Sequence, residues 1–219
     1  MRAQLTDTQR ALAWQSASVL LGYPDDDLLG RLPALREAVT AVPGPVGEHL
    51  GRFVEHLAGT PAAQLAADYV DTFDHTRRCC LYLTYYAHGD TRKRGMALLK
   101  FKNAYRIAGL ELTDDELPDH LGVVLEFGAA ADPKTAARLL TEHRAGVELL
   151  RLALLDRSSP YADVLEAVSL TLPAIGRRDA AAVARLAAEG PPAEEVGLQP
   201  YGPPEFMPST DQHLTGARR

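Results

Sequence analysis

The chain lacks most of the features that would fix its class at once. Only two of its 219 residues are cysteines, and these two, Cys79 and Cys80, are adjacent. A disulfide between neighbouring residues is strained, so we expect no disulfide framework and a reducing setting. No run approaches the roughly 20 apolar residues of a membrane span, and the segment after Met1 lacks the apolar core of a signal peptide. We therefore expect a cytoplasmic protein without membrane insertion.

An excess of positive charge and the common catalytic motifs are also missing. Twenty-nine acidic and 23 basic residues give a net charge of −6, which argues against nucleic acid as a partner and permits a basic peptide. The chain contains neither a glycine-rich phosphate-binding loop nor a Gly-x-Ser-x-Gly nucleophile motif. We predict that it is not an enzyme and carries no cofactor.

Two sets of side chains are candidate metal ligands. The spacing of His75, Cys79, Cys80 and His88 matches no standard zinc pattern, which favours ordinary loop and core residues. Asp74-His75 and Asp119-His120 resemble the His-Asp pairs of all-α metal-dependent phosphohydrolases, but in reversed order, and the chain has no His-Asp dipeptide. We predict no metal site, and such a phosphohydrolase remains the alternative from a different functional class.

What the chain does have is a 3.6-residue period of apolar residues along nearly its whole length. A hydrophobic share of 46% in 219 residues is enough to bury one core. The pattern predicts an all-α, single-domain helical bundle over residues 1–189. Six of the fifteen prolines fall between Pro191 and Pro208, so residues 190–219 are predicted to form an extended Pro/Gly-rich tail.

Within the bundle, acidic and proline residues mark several helix starts. Asp25 is predicted to begin one helix that continues to Val39, and Asp132 is predicted to cap a long helix that ends near Leu154. Residues 75–91 break the period and are predicted to form a loop, with room for a short helix. The next predicted helix, from about Arg92 to Ala108, carries the basic residues Arg92-Lys-Arg94, Lys100, Lys102 and Arg106. These residues are expected to form a solvent-exposed face, and contact with an acidic partner is the alternative.

The segment Glu116-Leu-Pro-Asp-His-Leu121 is the most informative in the sequence. Pro118 has no N–H and a fixed φ, which suits the first turn of a helix, and Asp119 would then lie where the helix N-terminus favours negative charge. An apolar helical face follows, so Pro118, Asp119 and His120 are predicted to lie at the edge of that face. The acidic run consists of Glu111, Asp114, Asp115, Glu116 and Asp119, with Glu126 two turns further on. These carboxylates either stabilise the start of the helix or bind the positive end of a peptide.

Several segments, in the same order along the chain, resemble the nitrate reductase assembly chaperones of the NarJ/TorD/DmsD family of redox-enzyme maturation proteins. The segments that carry the resemblance are Leu20-Leu-Gly-Tyr-Pro24, Tyr69-Val-Asp-Thr-Phe-Asp-His75, Leu81-Tyr-Leu83, Asp90-Thr-Arg-Lys-Arg-Gly95, Tyr105, Gly109, Glu116-Leu-Pro-Asp-His-Leu121, Leu125-Glu-Phe127 and Glu195-Val-Gly-Leu198. One departure is Gly122, which stands where family members often have a second proline.

The resemblance implies a non-catalytic all-α chaperone that binds the N-terminal segment of a nitrate reductase α subunit until the molybdenum cofactor is inserted. It implies that Pro118, Asp119 and His120 line the peptide site, with Tyr69, Phe73 and Tyr82 as nearby aromatic residues. Contact with cofactor-delivery proteins is a further implied partnership. The alternative within the family is a chaperone for a twin-arginine-exported molybdoenzyme, of the dimethyl sulfoxide or trimethylamine oxide reductase type.

Overall fold

The structure, a computed structural model, describes residues 5–89, 91–112 and 116–190. These residues form twelve α-helices and no strand longer than one isolated bridge, which confirms the predicted all-α class. The helices are α1 (Asp7–Leu20), α2 (Asp26–Gly30), α3 (Leu32–Thr40), α4 (Gly44–Gly59), α5 (Ala62–Tyr69), α6 (Leu83–His88), α7 (Arg92–Ile107), α8 (Leu121–Ala130), α9 (Pro133–Glu142), α10 (Arg144–Asp156), α11 (Tyr161–Thr171) and α12 (Arg177–Glu189).

Side-chain caps explain where several helices begin. The Oγ1 of Thr6 accepts the N–H of Gln9 at 3.2 Å, and the Gln9 side chain accepts the N–H of Thr6 at 3.0 Å, which is a capping box at the start of α1. Asp25 accepts the N–H of Leu28 at 2.9 Å ahead of α2. Asp132 accepts backbone N–H groups at the start of α9. The predicted capping positions of Asp25 and Asp132 are confirmed.

Helix α1 lies at the centre of the bundle. It packs against α8 on one side and against α3, α4 and α11 on the others, while α4 also packs along α11. The remaining layer is built on α10, which contacts α6, α9, α11 and α12. The largest fully buried side chains come from several of these helices and include Trp14, Phe53, Phe101 and Leu125.

The contact between α1 and α8 is close because α8 presents a glycine to it. A Cβ on Gly128 would lie 2.6 Å from the Trp14 ring and 2.6 Å from the Cβ of Ala136. The absence of a side chain at Gly128 therefore allows α1, α8 and α9 to pack closely, and any larger residue there would push these helices apart. The indole N–H of Trp14 donates to Thr171 Oγ1 at 2.8 Å, which ties α1 to α11.

Two predicted helices are each divided in the structure. The helix expected from Asp132 to Leu154 ends at Glu142, and α10 starts at Arg144, so that α9 packs on α8 while α10 packs on α6. Gly146, in the first turn of α10, lets this helix approach α6 closely, since a Cβ there would lie 2.8 Å from the Tyr86 ring. The helix expected from Asp25 to Val39 is interrupted at Arg31, because Pro33 has no N–H to continue it.

The predicted loop at residues 75–91 contains a 3-10 turn at Arg77–Cys79 and the short helix α6. A single π-helical turn, Val70–Asp74, precedes it and continues directly from α5. In the described residues no helix is both long enough and apolar enough to span a bilayer. The predicted tail lies outside the described residues from position 191 onward.

Candidate functional site

The residues before α8 form a turn, which we call the corner (Glu116–His120). Pro118 and Asp119 lie in this turn, and α8 begins only at Leu121 with His120 as its N-cap, so the prediction that Pro118 occupies the first helical turn is wrong. The backbone here is already paired. Leu83 N–H donates to Asp119 O at 3.0 Å and Leu121 N–H donates to Leu81 O at 2.8 Å, which makes an antiparallel bridge between Tyr82 and His120.

The Asp119 carboxylate points into the protein. Its exposed fraction is 0%, and Oδ2 accepts the N–H of Thr84 at 3.0 Å and the Thr84 hydroxyl at 2.5 Å. The other oxygen, Oδ1, is buried without a hydrogen-bond partner among the described residues. The expectation that Asp119 lies at an open edge is therefore wrong, and its carboxylate instead joins the corner to the start of α6.

Helix α7 holds the corner from behind at two points. Near its start, Arg94 Nε donates to Thr84 Oγ1 at 3.2 Å, and Arg94 Nη2 lies 3.9 Å from Asp119 Oδ2. Near its end, the Tyr105 hydroxyl donates to Pro118 O at 2.5 Å. Burial and the Asp119 charge raise the pKa of Tyr105, so this hydroxyl stays protonated as a donor. The inner side of α7 therefore fixes both Pro118 and Asp119.

The half-buried face of the corner consists of Tyr82, Glu116 and His120. The Tyr82 hydroxyl donates to Glu116 Oε1 at 2.9 Å, and the Tyr82 and His120 rings meet edge to face with centroids 5.4 Å apart. Burial and the hydrogen bond to Glu116 raise the pKa of Tyr82, which keeps the phenol neutral. Gly122 leaves space for the imidazole, since a Cβ there would lie 3.1 Å from His120 Nδ1.

A second group of aromatic rings lies around Tyr69. Burial, then the charges of Asp74 and Glu116, raise the pKa of Tyr69 to about 12. The Tyr69 ring lies 4.9 Å from that of Phe73 and 5.3 Å from that of Tyr23, measured between centroids. The structure thus groups Tyr69 with Phe73 and Tyr23, and it separately joins Tyr82 to Glu116.

The sequence-based site omits Tyr23 and includes Glu126. Tyr23 is 49% exposed beside Tyr69, and the segment Leu20-Leu-Gly-Tyr-Pro24 was the signal that pointed to it. Glu126 lies on the exposed side of α8, and in the part of the chain that the structure describes it makes no hydrogen bond or ion pair with the corner. Glu116 therefore contacts an aromatic residue of the predicted site, Tyr82, and Glu126 does not contact the corner.

The candidate metal ligands do not form a metal-binding cluster in the described part of the chain. Among the described residues, no group of three or more His, Cys, Asp or Glu side chains could hold a metal ion. Cys79, the last residue of the 3-10 turn, is buried, and burial raises the pKa of its thiol.

Two half-buried histidines, His120 and His143, should make the folded protein less stable in mild acid. Burial lowers the pKa of His120 against the opposing charges of Glu116 and Asp119. Burial likewise lowers the pKa of His143, whose neighbouring charges are Glu142, Asp119, Lys100 and His88. Below about pH 6.5 the unfolded chain binds more protons at these rings than the folded chain does, so stability falls as the pH falls.

We expect the urea midpoint, followed by circular dichroism, to decrease between about pH 7 and pH 5. The double variant His120→Gln/His143→Gln should show a shallower dependence over the same range. An unchanged slope in that variant would mean that other groups control the acid transition.

Comparison with known proteins places the chain among the all-α maturation chaperones of redox enzymes. The chain resembles the crystal structure of a redox enzyme maturation protein from Archaeoglobus fulgidus with a TM-score of 0.54 and 25% identity, over 74% of this chain and 91% of that one. The sequence model of the family described as nitrate reductase delta subunit matches residues 40–167. The chain belongs to the nitrate reductase delta subunit family.

Two relatives illustrate the range of the similarity. The Bacillus subtilis protein named "Probable nitrate reductase molybdenum cofactor assembly chaperone NarJ" is 33% identical over 176 residues, which cover 80% of this chain and 96% of that protein. The nitrate reductase-like protein NarX of Mycobacterium tuberculosis is 42% identical over 160 residues, or 73% of this chain. That match spans only 24% of the length of NarX.

Proposed function

We propose that the chain is a non-catalytic assembly chaperone for a respiratory nitrate reductase. In this proposal it binds the N-terminal segment of the catalytic α subunit in the cytoplasm and keeps that subunit competent for molybdenum cofactor insertion. The observation that carries the proposal is the face formed by Tyr82, Glu116 and His120, in a chain whose relatives include assembly chaperones of nitrate reductase. Proteins that deliver the cofactor are proposed as further partners.

The chemistry of the corner suits a peptide with positive charge and apolar anchors. Glu116 supplies a carboxylate beside the Tyr82 ring, and aromatic rings offer a large apolar area for contact. Exposed apolar area lies nearby at Leu117, which is 40% exposed, and at Tyr23. Lysine, arginine or a free amino terminus would be attracted to Glu116, and apolar residues one helical turn apart would pack on the rings.

Within this proposal the corner residues have different tasks. Glu116, His120 and the rings of Tyr69, Phe73 and Tyr82 form the contact surface, and Glu126 extends the negative charge along α8. Pro118 and Asp119 act as positioning residues, because their polar atoms are engaged by Tyr105 and Thr84. A neutral His120, favoured by burial, would accept or donate one hydrogen bond without repelling a cationic peptide.

Charge reversal at Glu116 tests the proposal. We expect Glu116→Lys to weaken binding of the α subunit's N-terminal peptide at least about tenfold, since it replaces attraction by repulsion at the contact surface. Isothermal titration calorimetry on the full chain measures this. Glu37→Lys, the same charge change at an exposed position on α3, should leave the affinity unchanged.

A second peptide separates the two members of the family that the sequence leaves open. A twin-arginine leader that binds more tightly than the α-subunit peptide would favour an exported molybdoenzyme as the client. Equal binding of both peptides by the wild type and by Glu116→Lys would refute the corner as the peptide site.

A further inference from the structure

The outer side of α7 carries an apolar stripe that no described element covers. Four of the seven exposed large apolar side chains of the described residues lie on α7 or immediately after it. Met96, Leu99 and Ile107 follow a helical spacing, and Leu110 continues the line after the helix ends. The exposed fractions are high: 72% for Met96, 56% for Leu99, 78% for Ile107 and 42% for Leu110.

Basic residues flank this stripe. Lys93 and Arg106 are exposed on α7, and at 100° per residue they fall on opposite sides of the line formed by Met96, Leu99 and Ile107. The exposed Arg92 lies one turn before Met96, at the start of the stripe. Lys100 also lies nearby, but its ammonium is engaged by Glu142 at 2.7 Å. The outer face of α7 is therefore apolar along its middle and positive at its margins, unlike the acidic corner behind it.

Helix α7 makes few packing contacts with the rest of the bundle for its length. Of its sixteen residues only Phe101 and Tyr105 are buried, and the element it packs against most is the short helix α6. Contiguous exposed apolar surface on a soluble protein marks an interaction site. A segment with apolar residues and carboxylates would complement this face.

We propose that the chain's own C-terminal segment, residues 194–207, covers the α7 stripe. This segment contains Glu194-Glu-Val-Gly-Leu198 and Glu205-Phe-Met207, which combine carboxylates with apolar side chains as the stripe requires. It carries three acidic and no basic residues, opposite in sign to the margins of the stripe.

Length and tethering favour this occupant. The last described residue is Gly190, and the sixteen residues from there to Phe206 can span up to about 50 Å, which reaches any surface of a domain this size. A tethered segment has an effective concentration near the millimolar range, so modest complementarity is enough for binding. A second copy lacks that advantage, and the net charge of −6 opposes an anionic membrane as the occupant.

Covering the stripe would have an effect on the corner. The inner side of α7 holds Asp119 through Arg94 and Thr84, and holds Pro118 through Tyr105. A segment docked on the outer side adds packing to a helix that otherwise has little, and so stabilises these contacts. This docking is independent of any client protein.

A charge exchange between tail and helix in the full-length chain tests the proposal. Lys93→Glu with Arg106→Glu should speed backbone hydrogen exchange in α7 by about tenfold, because the opening of a locally stabilised element follows the contacts it loses. Glu194→Lys with Glu195→Lys and Glu205→Lys should give the same increase. The combined variant should restore most of the protection. Arg77→Glu with Arg78→Glu, an equal charge change at exposed positions of the 3-10 turn, is the matched control.

Three outcomes would overturn the proposal. Tail substitutions that leave exchange in α7 unchanged would exclude docking of residues 194–207. Protection of α7 that increases with protein concentration would identify a second copy as the occupant. Protection that appears only with phosphatidylglycerol vesicles, and is unaffected by the tail substitutions, would identify a membrane surface.

Discussion

Replacing Asp119 with alanine is expected to lower the free energy of unfolding by about 3 kcal/mol. The substitution leaves the N–H and the hydroxyl of Thr84 buried without their acceptor, and it removes the carboxylate that lies 3.9 Å from Arg94. Urea unfolding followed by circular dichroism measures the change. The corner should loosen as well, because the Thr84–Asp119 contact supports the bridge between Tyr82 and His120.

The asparagine variant separates hydrogen bonding from charge. Asp119→Asn retains an oxygen acceptor for Thr84 and can place its amide at the Oδ1 position, which has no hydrogen-bond partner among the described residues. We expect it to cost about 1 kcal/mol. A loss as large as that of alanine would show that the charge facing Arg94 dominates. As a control, Asp132→Ala removes a half-exposed helix cap and should also cost about 1 kcal/mol.

Replacing Gly128 with valine is expected to destabilise the bundle by about 3 kcal/mol. The new Cβ would lie 2.6 Å from the Trp14 ring and from Ala136, and the valine methyl groups would extend further into both neighbours. Trp14 cannot move aside easily, since it is fully buried and its indole N–H is bonded to Thr171. The midpoint of urea denaturation should fall accordingly.

The same substitution elsewhere provides the control. Gly51 lies within α4, and a Cβ there meets no atom within 4 Å. Gly51→Val should be neutral or stabilise by a few tenths of a kcal/mol, since valine has the higher helix propensity. If Gly128→Val proved as mild as Gly51→Val, then α1, α8 and α9 would pack less rigidly than their spacing indicates.

Most of the fold could be predicted from local patterns. The 3.6-residue period identified the helices, and Asp25 and Asp132 marked starts that the structure confirms, because both depend on residues within one turn. The division at His143 escaped the pattern, since apolar residues continue in register on both sides of it. The packing that accompanies it, with Gly146 of α10 against Tyr86 of α6, joins residues sixty positions apart.

The candidate site shows the same division between local and distant causes. The family resemblance implied that Tyr82 lies near the site that includes Glu116, and the structure joins these two residues by a hydrogen bond. The direction of Asp119 could not be predicted, because a carboxylate at the start of a helix usually faces solvent. It turns inward here to meet Thr84, thirty-five positions earlier in the chain, and no periodicity relates those two residues.

Trp14 is the only tryptophan of the chain, and its position gives the molecule an optical reporter of one region. Its ring lies at the meeting of α1, α8 and α11, away from solvent, so its emission should be blue-shifted in the folded protein and should move to longer wavelength when that centre opens. Peptide binding at Tyr82 and Glu116 should leave this emission unchanged. A fluorescence titration that keeps the tryptophan band constant while tyrosine emission changes would therefore separate recognition at the corner from unfolding of the core.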